Sequence, residues 1–352
     1  MPVAHPVHAD HDEVDDVAGR RSQGRRGPGQ KQASVHGGSS ALYSIGRSTT
    51  IMSPTISRRR VLACAALATG AAATPKMKMS LSVRVAEAFD NKEKATKTID
   101  ELIALAKSTG YDALCMRASQ AGVHSPAERI AEMRAKIRAA GLAVSMITGD
   151  FAVPSNNEQG PMCLRKITPY LDLAEKFGAD LIRVCMKKDE DIPWAQRAAD
   201  EAAERRIRLA HQSHCASPFE TVDGTERVLK AVRRPNFGLI YEPANWLISG
   251  QPYGAATVVR LKPYIFNFYI QNHRLNPAGK AAVDTWTKGR VPLDHIGVWE
   301  KGGVNAEDVF AGLHRIGYSG YITVHQAFGD VMPVEEAVRR SYQYLKPLTI
   351  RS

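Results

Sequence analysis

The segment AEDVFAGLHRIGYSGYITVH, residues 306–325, holds the unit from which the fold is read. Residues 306–316 carry a helical pattern, Gly317 supplies a left-handed C-cap, and the β-branched run 321–325 follows at once. The same punctuation recurs upstream at Thr109-Gly110-Tyr111-Asp112, Ala140-Gly141-Leu142 and Phe177-Gly178-Ala179-Asp180. A helix that ends on glycine and turns directly into an apolar strand is the repeat of an α/β protein.

Working outward, eight short strand-like runs are found at 81–85, 113–116, 143–147, 181–185, 207–211, 237–242, 265–271 and 321–325. Helical patterns follow them at 94–108, 126–140, 162–177, 192–205, 225–231, 255–261, 306–316 and 334–345. Eight such pairs predict a single-domain α/β protein, a (β/α)8 TIM barrel over residues 81–348. A doubly wound sheet would use fewer repeats and often a glycine-rich first turn, and none is seen. The connection from Asn272 to Asn305 is the one long insertion. It follows the seventh strand, which puts it on the C-terminal face, where barrel active sites are built.

The N-terminal part has a different character. Residues 1–50 are rich in Gly, Ser, His and Arg without apolar periodicity, so residues 1–51 are expected to be a disordered or over-called extension. Then Ser57-Arg58-Arg59-Arg60 leads into a short apolar run ending at Ala71-Ala72-Ala73. This is the pattern of a twin-arginine export signal over 52–73, with Met52 as the start, and it predicts a periplasmic protein; a cytoplasmic one follows if the signal is not used. The run is too short for a stable membrane anchor. The formal charge is +11, but nine of the 47 Lys/Arg and five of the 36 Asp/Glu fall in residues 1–73, which leaves +7 for the rest. Those basic residues are scattered along helices, a solvated surface and not a nucleic-acid stripe. The five cysteines, at 64, 115, 163, 185 and 215, form no CxxC pair, which argues against a structural zinc site.

The candidate chemistry lies at the late strand ends. Alternate residues of a barrel strand point inward, and the last inward residue reaches the mouth. Counting parity gives His211 after the fifth strand (with Ile207 and Leu209 inward), Glu242 after the sixth, Gln271 after the seventh and His325 after the eighth. On this count Phe266, Phe268 and Ile270 face outward. Imidazole, carboxylate and amide at one depth predict a divalent metal site with open positions for substrate oxygens. His214, His273 and Lys187 are the candidate catalytic side chains; Arg117, Arg274 and Trp246 are candidate substrate contacts, with Trp299 beside them. For each a plainer role stands alongside: a solvent-facing histidine, a salt bridge for Arg117 and Lys187, a packing anchor for the tryptophans.

The stretches RLAHQSHCASPFET (208–221), FGLIYEPANW (237–246), IFNFYIQNHR (265–274) and GGVNAEDVFAGLHRIGYSGYITVHQAF (302–328) resemble the sugar-phosphate isomerase/epimerase family of xylose isomerase-like barrels. The resemblance covers about residues 81–347. It implies a metal held by Glu, Asp, His and Glu after strands 5 to 8, with the two glutamates shuttling a proton beside a substrate carbonyl. Carried onto this chain, those positions become His211, Glu242, the neighbourhood of Gln271 and His325. Both proton-shuttling carboxylates are thereby lost, and a histidine-rich set leans from Mg toward Mn, Zn, Co or Fe. The expected activity is an isomerase, epimerase or lyase acting on a polyhydroxylated sugar or keto-sugar, with homo-oligomers possible. A non-catalytic sugar-binding barrel and an endonuclease IV-like phosphodiesterase are the two alternatives.

Overall fold

The computed structural model describes residues 76–88, 91–329 and 331–350. The extension and the export signal expected within residues 1–73 lie outside the described residues. Among the described residues eleven strands are formed: β1 (Lys78–Ser82), β2 (Ala113–Arg117), β3 (Ala143–Thr148), β4 (Leu181–Val184), β5 (Arg208–Gln212), β6 (Phe237–Tyr241), β7 (Ile265–Ile270), β8 (His273–Leu275), β9 (Ala281–Thr285), β10 (Gly289–His295) and β11 (Tyr321–Val324). Strands β1 to β7 and β11 pair in parallel and close a barrel in the order β1-β11-β7-β6-β5-β4-β3-β2. This is the (β/α)8 barrel that the glycine-punctuated repeat predicts.

Local chemistry sets the element boundaries. Thr98 caps the helix Ile99–Thr109 in a capping box with Glu101, each satisfying a backbone N–H of the other. Gly317 adopts φ +69°, and a Cβ there would meet nothing within 4 Å. The backbone angle, not space, therefore calls for glycine at that turn. The expected helix 162–177 is broken into Met162–Arg165 and Thr168–Phe177, with Pro169 near the start of the second piece. Proline is tolerated in a first helical turn but not in a helix interior. The first strand starts earlier than expected and stops at Ser82, whose hydroxyl accepts from the Arg84 N–H and opens a 3-10 turn over Val83–Ala86.

Two apolar layers follow from strand parity. Ile182, Val184, Leu209, Leu239, Phe268, Ile270, Ile322 and Val324 point outward and pack under the helices. Cys115, Met146, Leu181, Ala210, Ile240 and Tyr269 fill the barrel interior, with Phe266 packed against them. The register shift between Leu239 and Ile240 against β7 marks a bulge, and Phe266 joins the interior instead of facing outward as simple alternation predicts.

The insertion at 272–305 is largely an antiparallel sheet of order β8-β10-β9. Buried Asn272 anchors it by donating to the carbonyls of Gly297 and Glu300 and accepting from the Val304 N–H. Its far tip is tied to the loop after β5, where Glu220 accepts from the backbone N–H groups of Ala216, Trp286 and Thr287 at 2.6, 2.8 and 2.7 Å.

Candidate functional site at the barrel mouth

Glu242 follows β6 and is fully buried. Its two carboxylate oxygens accept amide N–H groups from Gln271 on one side and Gln212 on the other. Asn245 adds a longer bond of 3.3 Å, and Ser213 Oγ accepts from the Glu242 backbone N–H. Burial pushes the Glu242 carboxyl up to about 8, with the positive charge of Arg183 pulling the other way. The remaining lone pair on Oε1 leaves this carboxylate one more acceptor position.

Gln212, not His211, is the inward residue at the end of β5. Leu209 and His211 share the outer face, and Ala210 points inward. His211 stacks on Phe219 with ring centroids 4.0 Å apart, and its nitrogens face the carbonyls of Gln212 and Met186. The parity count ends the strand at His211 and by alternation puts Ile207 and Leu209 inside. The narrow interior takes the small Ala210 instead, and the strand runs one residue further, to Gln212. His211 is therefore corrected from metal ligand to a packing histidine.

His325 does face inward. It stacks on Tyr269 at 3.7 Å, with Nδ1 on Ser82 Oγ at 3.0 Å. Burial and the charges of Arg117, Arg183, Arg84 and Lys92 hold its proton affinity well below the usual histidine range. Burial likewise brings His214 down to about 3, helped by Arg183. A neutral imidazole of such low basicity is a hydrogen-bond partner, not a general base.

The other expected contacts divide. Arg117 is buried and gives Glu87 a two-pronged salt bridge of 2.6 and 2.8 Å. Lys187 donates to the carbonyls of Asn156 and Ala216 at 2.9 and 2.7 Å. His273 is buried edge-on to His295, with Nδ1 unpartnered among the described residues, and burial brings it down to about 3. Arg274 is exposed and bonded to the Lys301 carbonyl, so it does not join the mouth. Trp246 is fully buried, edge-on to Tyr241 and donating to the Phe219 carbonyl; it is a core anchor and not a substrate contact. Trp299 lies under the Arg340 guanidinium against the helical layer.

Four participants escaped the sequence argument: Gln212, Arg183, Lys92 and Trp286. Arg183 was legible in principle, as a lone cation inside the strand LIRV with inward parity. Lys92 and Trp286 are placed by tertiary contacts alone, Lys92 donating to the Pro154 carbonyl and Trp286 beneath Lys187 at 6.0 Å.

Among the described residues no group of three His, Cys, Asp or Glu side chains is placed to hold an ion. Glu242 already accepts amide donors on both oxygens, and Arg183 brings a positive charge to it. With His211 turned outward, these residues do not fit a resident divalent cation.

No curated protein matches the chain. Solved structures with the same fold include the probable 3-DHS dehydratase AsbF, involved in petrobactin synthesis, from Bacillus anthracis. It is 15% identical, with a TM-score of 0.58, covering 77% of this chain and 99% of that one. A xylose isomerase-like TIM barrel protein from Mycobacterium smegmatis, solved in complex with magnesium, is 16% identical, with a TM-score of 0.58, covering 78% and 96%. A D-allulose 3-epimerase from Methylomonas sp. is 14% identical, with a TM-score of 0.54, covering 78% and 98%. The family model described as xylose isomerase-like TIM barrel matches residues 103–348, and the chain belongs to that family.

Proposed function

We propose that this barrel is an enzyme that moves a proton beside the carbonyl of a small polyhydroxylated ketone or aldehyde, as an isomerase, epimerase or lyase. One observation carries the proposal: at the mouth, burial raises the proton affinity of Glu242 to about 8 while it lowers that of His214 and His325. Glu242 is thus the carboxyl there that exchanges a proton near neutrality, the condition for general acid–base work, while Lys92, brought to about 8 from the other side, is held by the Pro154 carbonyl. Gln212, Gln271 and Asn245 hold its carboxylate in place. Arg183 acts on that carboxylate electrostatically and adds a positive potential that favours an anionic substrate or intermediate in the mouth. Neutral His214 and His325 offer hydrogen bonds to substrate hydroxyls. The family's dehydratase and epimerase members support an enzyme of this superfamily.

Two alternatives weaken on the same grounds. A phosphodiesterase of the multi-zinc type needs a His/Glu/Asp cluster that the described residues do not supply. A purely binding barrel leaves a carboxylic acid titrating near pH 8 in a fully buried position without a task. The proposal sets the enzyme in the periplasm, carried there folded by the signal at 52–73. Its test is proton exchange in deuterated water over a panel of keto-sugars and uronates. Exchange with the wild type and its loss by a factor of about 10²–10⁴ in Glu242→Gln are expected. Exchange that survives Glu242→Gln at the wild-type rate would overturn the assignment.

A further inference from the structure

Among the described residues, Arg183 is the cation at the mouth without a hydrogen-bonding or salt-bridge partner of its own. It lies in β4 between Ile182 and Val184, which point to the helices, and shares the inward face of Leu181. It is 3% exposed, and its Nε has no hydrogen-bond partner among the described residues. The neighbouring cations differ. Arg117 is paired with Glu87, Lys187 holds two backbone carbonyls, and Lys92 holds the Pro154 carbonyl. The carboxylate of Glu242 already accepts Gln212, Gln271 and Asn245.

A buried guanidinium that is neither paired nor hydrogen-bonded is strongly disfavoured unless something else completes it. Arg117 and Lys92 lie within electrostatic reach of it, and both raise the positive potential around it. Water or a neutral hydroxyl would satisfy the N–H groups but leave that potential unbalanced. A carboxylate answers both needs, because its planar pair of oxygens matches the two parallel N–H groups of guanidinium.

We propose that Arg183 is the anchor of a substrate carboxylate, so that the substrate is an oxidised sugar or hydroxylated keto-acid, not a neutral sugar. This deepens the proton-transfer reading of the same mouth and rests on it. The carboxylate would sit against β4, with the reacting carbon turned toward Glu242 across the interior. Glu242 then moves the proton, while Arg183 binds.

Titration calorimetry of the full chain with glucuronate, glucose and inorganic phosphate tests this. Glucuronate and glucose differ only in the carboxylate. We expect glucuronate to bind at least tenfold more tightly than glucose, a gap of about 1.4 kcal/mol. That preference should vanish in Arg183→Gln and shrink in Arg183→Lys, which keeps the charge without the fork and guards against a folding defect in the first variant. Glu242→Gln should keep it. Equal binding of the two sugars by the wild type, a preference that survives Arg183→Gln, or phosphate bound more tightly than glucuronate would each overturn the carboxylate subsite. Preferential binding of glucuronate with no proton exchange on any uronate or keto-acid supports the subsite and sinks the proposed reaction instead, so the two fail separately.

Discussion

Burial acts in opposite directions on the two kinds of titratable side chain around the mouth. It disfavours the charged form, so it raises the carboxyl of Glu242 to about 8 and lowers His211, His214 and His273 to about 3. The consequences for stability have opposite signs. Between pH 3 and 6.5 the unfolded chain binds protons that the folded histidines refuse, so stability rises with pH across that window. Between an unfolded Glu value of about 4.3 and the folded value near 8, the folded state holds the extra proton, so Glu242 makes stability fall as pH rises. The histidine contribution to this pH dependence fades over the first pH unit above 6.5, and Lys92, lowered to about 8, adds stability only above that value. The difference between the wild type and Glu242→Gln across 6.5 to 8 therefore isolates Glu242. Thermal melts should show the Tm of the wild type falling relative to that of Glu242→Gln as pH rises through this window. The rate of proton exchange should climb toward a limb near pH 8 in the wild type, because the ionised form is the base. The two histidines first expected as ligands separate in the same experiments. His211→Ala removes the stacking partner of Phe219 and should lower stability by about 2 kcal/mol while the folded fraction turns over normally. His325→Ala removes a group that faces the barrel interior, to which the proposed function gives a substrate hydroxyl, and should lower turnover. A turnover loss confined to His211→Ala would reverse that assignment.

Across the late strands, the sheet β8-β10-β9 shows how an insertion becomes part of a site. Its tip rests on one buried carboxylate, since Glu220 accepts three backbone N–H groups, two of them from Trp286 and Thr287. Hydrogen bonds to a charged acceptor contribute about 1.5–3 kcal/mol each. Glu220→Ala should therefore loosen the tip locally. Cleavage beside Trp286, which is 59% exposed, by an aromatic-specific protease should accelerate well before the barrel melts. Unchanged cleavage would show that the sheet is held elsewhere, with Asn272 the next candidate. Elements like this one mark where sequence stops being legible. The barrel strands and their helices are encoded locally, in apolar periodicity and in glycines such as Gly317 whose backbone angle excludes other residues. Glu242, Gln271 and His325 could be located because each directly follows a large apolar residue, Tyr241, Ile270 and Val324, that packs outward under the helices. The RLAHQ segment could not be resolved so, because its inward residue is a small alanine and its outward row ends on a polar histidine. Parity there is decided by the width of the barrel interior, a property of all eight strands together. The partners of Lys92, Trp286 and Glu220 lie far along the chain or on backbone atoms, where no local pattern records them.

For the molecule as a whole, the balance of charge at the mouth decides what it attracts. Arg84, Lys92, Arg117 and Arg183 all act electrostatically on His325, while Glu87 neutralises the first and third and Glu242 is protonated at neutral pH. Such a site draws anions and repels cations. The charge balance resides in named positions: Gln212 and Gln271 contribute neutral amides beside Glu242, and Arg183 contributes a positive charge. A resident ion present at a hundredfold its Kd would add about 2.7 kcal/mol to stability. For a barrel of this size its removal would lower Tm by roughly 5 °C or more. We expect no such change: exhaustive EDTA treatment should leave Tm and proton exchange as they were, and Mn, Zn, Co, Fe or Mg added back should raise neither. Elemental analysis of the purified chain should find these metals well below one per molecule. One tightly held equivalent that is lost in both Glu242→Gln and His325→Ala would restore the metal centre and place the cation where Arg183 is now assigned its role.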